Sequence, residues 1–136
     1  MTTETAAVTL LDNIYEAAVK MREYDTGFIP VVDSEAGRKL IGVITDRDLV
    51  LRGYADKHPG STSVETIMST EVVSIAETAS VDEAAELMAS GQIRRLPVTR
   101  DNKLIGIVSL GDLAVKPDFA DEAGEALSGI SQRQQH

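Results

Sequence analysis

Two short segments hold the residue types most able to do chemistry. They are Gly42-Val43-Ile44-Thr45-Asp46-Arg47-Asp48 and Gly106-Ile107-Val108-Ser109-Leu110-Gly111-Asp112. In each, a glycine is followed at the third position by a hydroxyl residue and at the sixth by an aspartate. A hydroxyl with an acid three residues on, just before a helix, is an N-capping pattern. The oxygen accepts a free backbone N–H, and the carboxylate suits the positive helix end. The same groups can hold a ligand. A helix N-terminus suits phosphate, and a cap hydroxyl can donate to a phosphate oxygen. An aspartate would repel phosphate but can accept from two ribose hydroxyls. Glycine allows a close backbone approach. Thr45 with Asp48, and Ser109 with Asp112, are thus candidates to hold a nucleoside phosphate at a strand-to-helix corner. Capping alone also accounts for either segment, and both readings stand.

These segments belong to an internal repeat. Sliding the chain so that Met1 meets Met68 brings Ile14-Tyr15-Glu16-Ala17-Ala18 onto Val81-Asp82-Glu83-Ala84-Ala85, and Pro30-Val31 onto Pro97-Val98. Lys39-Leu40-Ile41-Gly42 then matches Lys103-Leu104-Ile105-Gly106 once three extra residues near Ser34–Arg38 are allowed for. A length change belongs in a surface turn. Each copy reads β-α-β-β-α. In the second, Glu71–Ala76 is a strand, and Ser80 with Glu83 starts a helix as a capping box. Val81, Ala84, Ala85 and Met88 form its apolar stripe, and Gly91 ends it. Arg95–Thr99 and Leu104–Val108 are strands around the turn Arg100-Asp101-Asn102. In the first, the helix is Ile14–Tyr24, the strands are Phe28–Val32 and Leu40–Ile44, and a helix starts at Thr45. Pro30 and Pro97 predict a sheet edge or a bulge. Repeat 1 spans 1–60, repeat 2 spans 61–116, and a tail spans 117–136, where Glu122–Ile130 is weakly amphipathic. The fold class is α/β of the α+β type: two small three-stranded sheets with flanking helices, related by pseudo-twofold symmetry.

Composition narrows the function. The 136 residues carry 13 lysines and arginines against 22 acids, a net charge of −9. Such a surface disfavours nucleic acid and anionic membranes, whose binding needs basic groups. Cysteine is absent, and the only histidines are His58 and His136. A zinc knuckle, a cysteine nucleophile and a His-rich metal site are therefore excluded. His58 is expected in solvent. No apolar run reaches membrane-spanning length, and the N-terminus lacks the basic start of a signal peptide. A cytoplasmic protein is expected. No triad, carboxylate pair or P-loop is present, so no enzyme is expected and no obligatory cofactor or metal.

Taken in order, the motifs resemble a tandem pair of cystathionine-β-synthase (CBS) domains, a Bateman module of the stand-alone bacterial kind. Ile29-Pro30-Val31-Val32 with Gly42–Leu49, and Ile93-Arg94-Arg95-Leu96-Pro97-Val98 with Gly106–Ser109, carry the resemblance. It implies clefts between the copies that bind an adenosine ligand: AMP, ADP, ATP or S-adenosylmethionine. Asp48 and Asp112 would then bind ribose, and Thr45 and Ser109 phosphate or ribose. Ile29, Pro30, Leu96 and Pro97 would flank adenine. Arg47 has Gly111 as its counterpart, while Arg94 and Arg95 replace Gly27 and Phe28, so the sites are not equivalent. Arginine suits phosphate oxygens, although Arg94 and Arg95 could instead pair with surface acids. The resemblance further implies a regulatory module, a homodimer, and a separate effector protein. The competing expectation is a dimerising scaffold with vestigial sites.

Overall fold

Ile14, Ala17 and Met21 repeat at helical spacing, and the helix α1 (Ile14–Glu23) buries all three. Asn13 starts it. Its side chain accepts from the Glu16 amide at 2.8 Å, and the Glu16 carboxylate accepts from the Asn13 amide at 3.2 Å. This reciprocal cap satisfies two amides that a helix start leaves without partners. The helix packs on a sheet ordered β1-β2-β3, with β1 Val8–Thr9, β2 Phe28–Val32 and β3 Leu40–Thr45. β1 runs parallel to β2, and β3 antiparallel to it. A short α2 (Asp46–Asp48) follows β3, continues as a π-helical turn Leu49–Tyr54, and is followed by α3 (Val64–Ile67). Val8, Ile29, Val31, Ile44, Val64 and Ile67 close the core.

The structure is a computed structural model that describes residues 6–111. Residues 6–72 form this first unit together with Asn102–Leu104, and residues 73–101 with 105–111 form the second. In the second, β4 (Ile75–Ala76), β5 (Arg95–Arg100) and β6 (Lys103–Ser109) make a sheet in that order. The helix α4 (Val81–Gly91) buries Ala84, Ala85 and Met88. Ser80 Oγ caps it by accepting from the Glu83 amide at 3.1 Å. Leu96, Val98, Val108 and Leu110 complete that core. Asp101 and Asn102 both have positive φ, 52° and 67°. Two such residues form the tight hairpin turn that matches strand twist. The mixed α/β class with two three-stranded sheets is as the sequence predicts. The tail 117–136 lies outside the described residues.

Several local expectations change. β2 is the central strand of its sheet, not an edge. Val43, the partner of Pro30, sends its N–H and C=O to Ser69 instead. The Pro30–Val43 pair is therefore not hydrogen-bonded, and the missing Pro30 donor faces the β1 side. There β1 pairs only with Val31 and Val32. A bulge does occur one step on, between Val31 and Val32. Gly91 stays helical, and the left-handed residue is Gln92, with φ 53°. The cause is Ile93, whose amide closes on the Met88 carbonyl at 3.0 Å while its side chain packs on the core. The chain must turn between them. Asp25, with φ 51°, does the same after α1, where Thr26 closes on Met21. The strand expected at Glu71–Ala76 shrinks to Ile75–Ala76. His58 is half-buried rather than free in solvent, with its amide on the Gly53 carbonyl.

Gly42 is fixed by crowding. A Cβ there would lie 2.9 Å from Met68 Sδ and 2.9 Å from the Ser69 carbonyl oxygen. The close approach that glycine permits is thus made by this unit's own chain. Gly42→Ala is expected to cost about 1–3 kcal/mol in urea unfolding, as overpacking does. Gly91→Ala is the control. Its nearest neighbour, Ile93 Cγ1, is 3.6 Å away, so the helix should gain up to about 1 kcal/mol.

Arg100 Nη2 donates to Glu77 Oε2 at 2.7 Å, and Nε to the other oxygen. That hydrogen bond, with the guanidinium charge, holds the Glu77 carboxyl below its ordinary range. A folded value below the unfolded one stabilises at pH above the unfolded value. The contribution disappears as pH falls through the folded value. A carbon-detected titration should find Glu77 protonating at lower pH in the parent protein than in Arg100→Gln.

Candidate functional site

β3 delivers Thr45 in extended conformation, and the chain turns into α2 at that residue. Thr45 Oγ1 accepts from the Asp48 amide at 3.1 Å, and Asp48 Oδ2 accepts from the Thr45 amide at 2.9 Å. This is again a reciprocal cap. It occupies one lone pair of the hydroxyl and one carboxylate oxygen. The Thr45 hydroxyl proton remains to be donated, and Asp48 Oδ1 has no bond within the described residues. Both residues are half-buried. The corner therefore presents one hydroxyl donor beside one carboxylate acceptor. That pair can serve a ligand carrying hydroxyls and an acceptor oxygen. Arg47 is exposed next to it.

A second feature, which the motif pattern did not reveal, locks this corner. The Asp46 amide donates to the Gly27 carbonyl at 2.9 Å. The Asp46 carboxylate lies so close that a Cβ on Gly27 would sit 2.6 Å from Oδ2. Asp46 Oδ1 also accepts from the Arg47 amide at 2.8 Å. Gly27 thus makes room for Asp46, and Asp46 holds the first helical residue. The sequence signal was available: glycine stands at position 27 where the second copy carries Arg94.

The second unit builds its corner with the same backbone bond. Leu110 donates to the Arg94 carbonyl at 3.2 Å. Ser109, half-buried, ends β6 there, and Gly111 is exposed. The backbone bond brings the Arg94-Arg95 segment to the Ser109 corner, and both arginines are exposed. Asp112 lies outside the described residues. Ile29, Pro30, Leu96 and Pro97 are all buried, with Ile29 and Leu96 at 0% exposure in the cores of their own units. The side chains of Ile29 and Leu96 support the sheets, so a ligand would meet these strands through backbone. Among the described residues no group of metal-ligating side chains gathers, and no helix is long and apolar enough to cross a membrane.

The CBS domain family profile matches residues 1–53 and again 64–116. An uncharacterized protein of Bacillus subtilis, YlbB, is 54% identical, covering 97% of this chain and 88% of its own. The CBS domain-containing protein YhcV of the same organism is 46% identical over all of this chain and 95% of its own. A CBS domain protein from Pyrobaculum aerophilum, solved in complex with AMP, has the same fold with TM-score 0.71 at 21% identity. That likeness covers 92% of this chain and 99% of the other.

Removing either half of the Thr45–Asp48 cap has a defined expected cost. Thr45→Ala and Asp48→Ala should each lower stability by about 0.5–2 kcal/mol. The double variant should lose close to the sum of the two single losses, because each side chain makes its own bond to the other residue's amide, and any departure measures their coupling. Urea unfolding of the four proteins checks this.

Proposed function

The chain belongs to the CBS domain family as a tandem pair, and on that premise we propose that it is a regulatory module sensing an adenosine-containing ligand. The observation that carries the reading is the Thr45–Asp48 corner, which keeps a hydroxyl proton and a carboxylate oxygen available after capping. Asp48 accepts from the ribose hydroxyls, and Thr45 donates to phosphate or ribose. Ser109 and Asp112 take the corresponding roles in the second copy. Arg47, Arg94 and Arg95 supply charge for phosphate, and the strands at Ile29-Pro30 and Leu96-Pro97 border the adenine. AMP is the first ligand to test, since the Pyrobaculum relative was solved with it. ADP, ATP and S-adenosylmethionine share the adenosine that this corner recognises. Binding favours one arrangement of the protein over another, and that shift is the signal. The reading places the protein in the cytoplasm as a homodimer that passes the signal to a separate effector protein, without catalysis.

One observation favours a second reading. Thr45 and Asp48 satisfy each other's backbone amides, so the motif explains itself as a cap without any ligand. The protein would then be a dimerising scaffold.

Calorimetry with AMP, ATP and S-adenosylmethionine separates the two. The sensor reading expects saturable heat and a raised melting temperature, since a ligand bound to the native state stabilises it. Asp48→Asn keeps an oxygen for the Thr45 amide but loses the charge. It should melt near the parent and bind AMP at least about tenfold more weakly, the scale of a lost charged hydrogen bond. Silence with all three ligands would favour the scaffold.

A further inference from the structure

We propose that the π-helical turn Leu49–Tyr54 is a register switch driven from the Thr45–Asp48 corner, an inference that rests on that corner taking a ligand. A π turn holds more residues per turn than an α-helix, and such turns occur mostly as single-turn insertions in helices, frequently at functional sites. This one follows α2 without a break. The Ala55 amide donates to the Val50 carbonyl, five residues back, at 2.8 Å, and the His58 amide to Gly53 at 3.0 Å. In an α register the Ala55 amide would donate to Leu51 instead.

The surplus residue can leave only through an end of the helix. The C-terminal end is held in three ways. Lys57 is left-handed, with φ 60°. Its amide is bonded to the Tyr54 carbonyl. Gly53 is buried against Ile14 and Ile67, whose Cδ1 atoms lie 3.5 and 3.6 Å from the position of a Cβ. The N-terminal end is held by the Asp46 amide on the Gly27 carbonyl and, beyond it, by the exchange between Thr45 and Asp48. A ligand whose hydroxyls draw the Asp48 carboxylate off the Thr45 amide frees the turn beyond Asp46 to take up the surplus residue. The turn then relaxes to α, and the side chains beyond the cap rotate against the fixed Gly53. Val50 and Leu51 are the ones that move. They are 57% and 49% exposed, so the change alters an apolar surface open to solvent.

The register is read directly by through-hydrogen-bond coupling in the isotope-labelled full chain. Without ligand the Ala55 amide should couple to the Val50 carbonyl carbon. With saturating AMP, its binding verified by calorimetry on the same sample, the coupling should pass to Leu51. Thr45→Ala without ligand should shift it the same way, because the hydroxyl half of the cap, which holds the Asp48 amide, is gone. Coupling that stays on Val50 in either state despite bound AMP or the missing cap overturns the switch. Loss of both couplings in Thr45→Ala also overturns it, since that is fraying rather than relaxation. Absence of heat with AMP, ATP and S-adenosylmethionine refutes the sensor reading, and the ligand as driver falls with it. The Thr45→Ala result then decides on its own whether the cap sets the register.

Discussion

One backbone hydrogen bond places everything that matters at each corner. In the first unit it joins the amide of Asp46 to the carbonyl of Gly27, and in the second the amide of Leu110 to the carbonyl of Arg94. Each ties the residue just past the last strand to the residue just before the middle strand. The strand pair then cannot slide without breaking it, and a one-residue slip would also turn the core face of the strand to solvent. Ile29 and Ile44 are cross-strand partners in the first unit and both are fully buried. Hydrophobic pattern and corner bond therefore specify the same register. The cap residue follows from that register, since Thr45 is where the strand ends and the helix starts.

What the sequence could reveal was whatever depends on local spacing or on repetition. The duplicated Gly-x-x-hydroxyl-x-x-Asp segments and the apolar stripe at Ala84, Ala85 and Met88 need only the order of residues. The fold class was legible for the same reason, and so was the pairing of Thr45 with Asp48. The remainder depends on contacts that spacing does not encode. Asp25 and Gln92 take left-handed conformations because the next amide must reach back to a methionine carbonyl. Neither is the glycine that such a position normally favours. Gly42 looked like room for a ligand, yet Met68 and Ser69 fill that space from a distant part of the unit. Pro30 looked like an edge marker and sits in a central strand, because the neighbouring β1 is only two residues long. The six-residue π turn leaves no mark in composition at all.

The two corners share a backbone but differ in charge. The first sets Arg47 beside Asp46 and Asp48, whereas the second has Gly111 in that position and Arg94-Arg95 at the strand entrance. In the first, a residue larger than Gly27 would have to push the Asp46 carboxylate aside. In the second, Leu110 stands where Asp46 does and is buried in the core. An acid held by glycine on one side and an apolar anchor with arginines on the other make two environments from one backbone plan. Under the sensor reading, the two corners would differ in affinity for an anionic ligand. Cationic guanidinium groups attract phosphate, and a nearby carboxylate opposes it.

The longer turn of the first copy has a consequence for descent. Its residue Arg38 accepts the Leu104 amide at 2.8 Å and donates from Nε to the Leu104 carbonyl at 3.3 Å, while Leu40 donates to the Asn102 carbonyl at 3.0 Å. Leu104 and Asn102 lie in the hairpin of the second copy, and those bonds draw Asn102–Leu104 into the first unit. Two identical halves would both carry, or both lack, the longer turn from which Arg38 makes these bonds. The difference in length gives each half an address. A gene with its halves exchanged would encode the same motifs, yet its socket and its plug would stand in the wrong order along the chain.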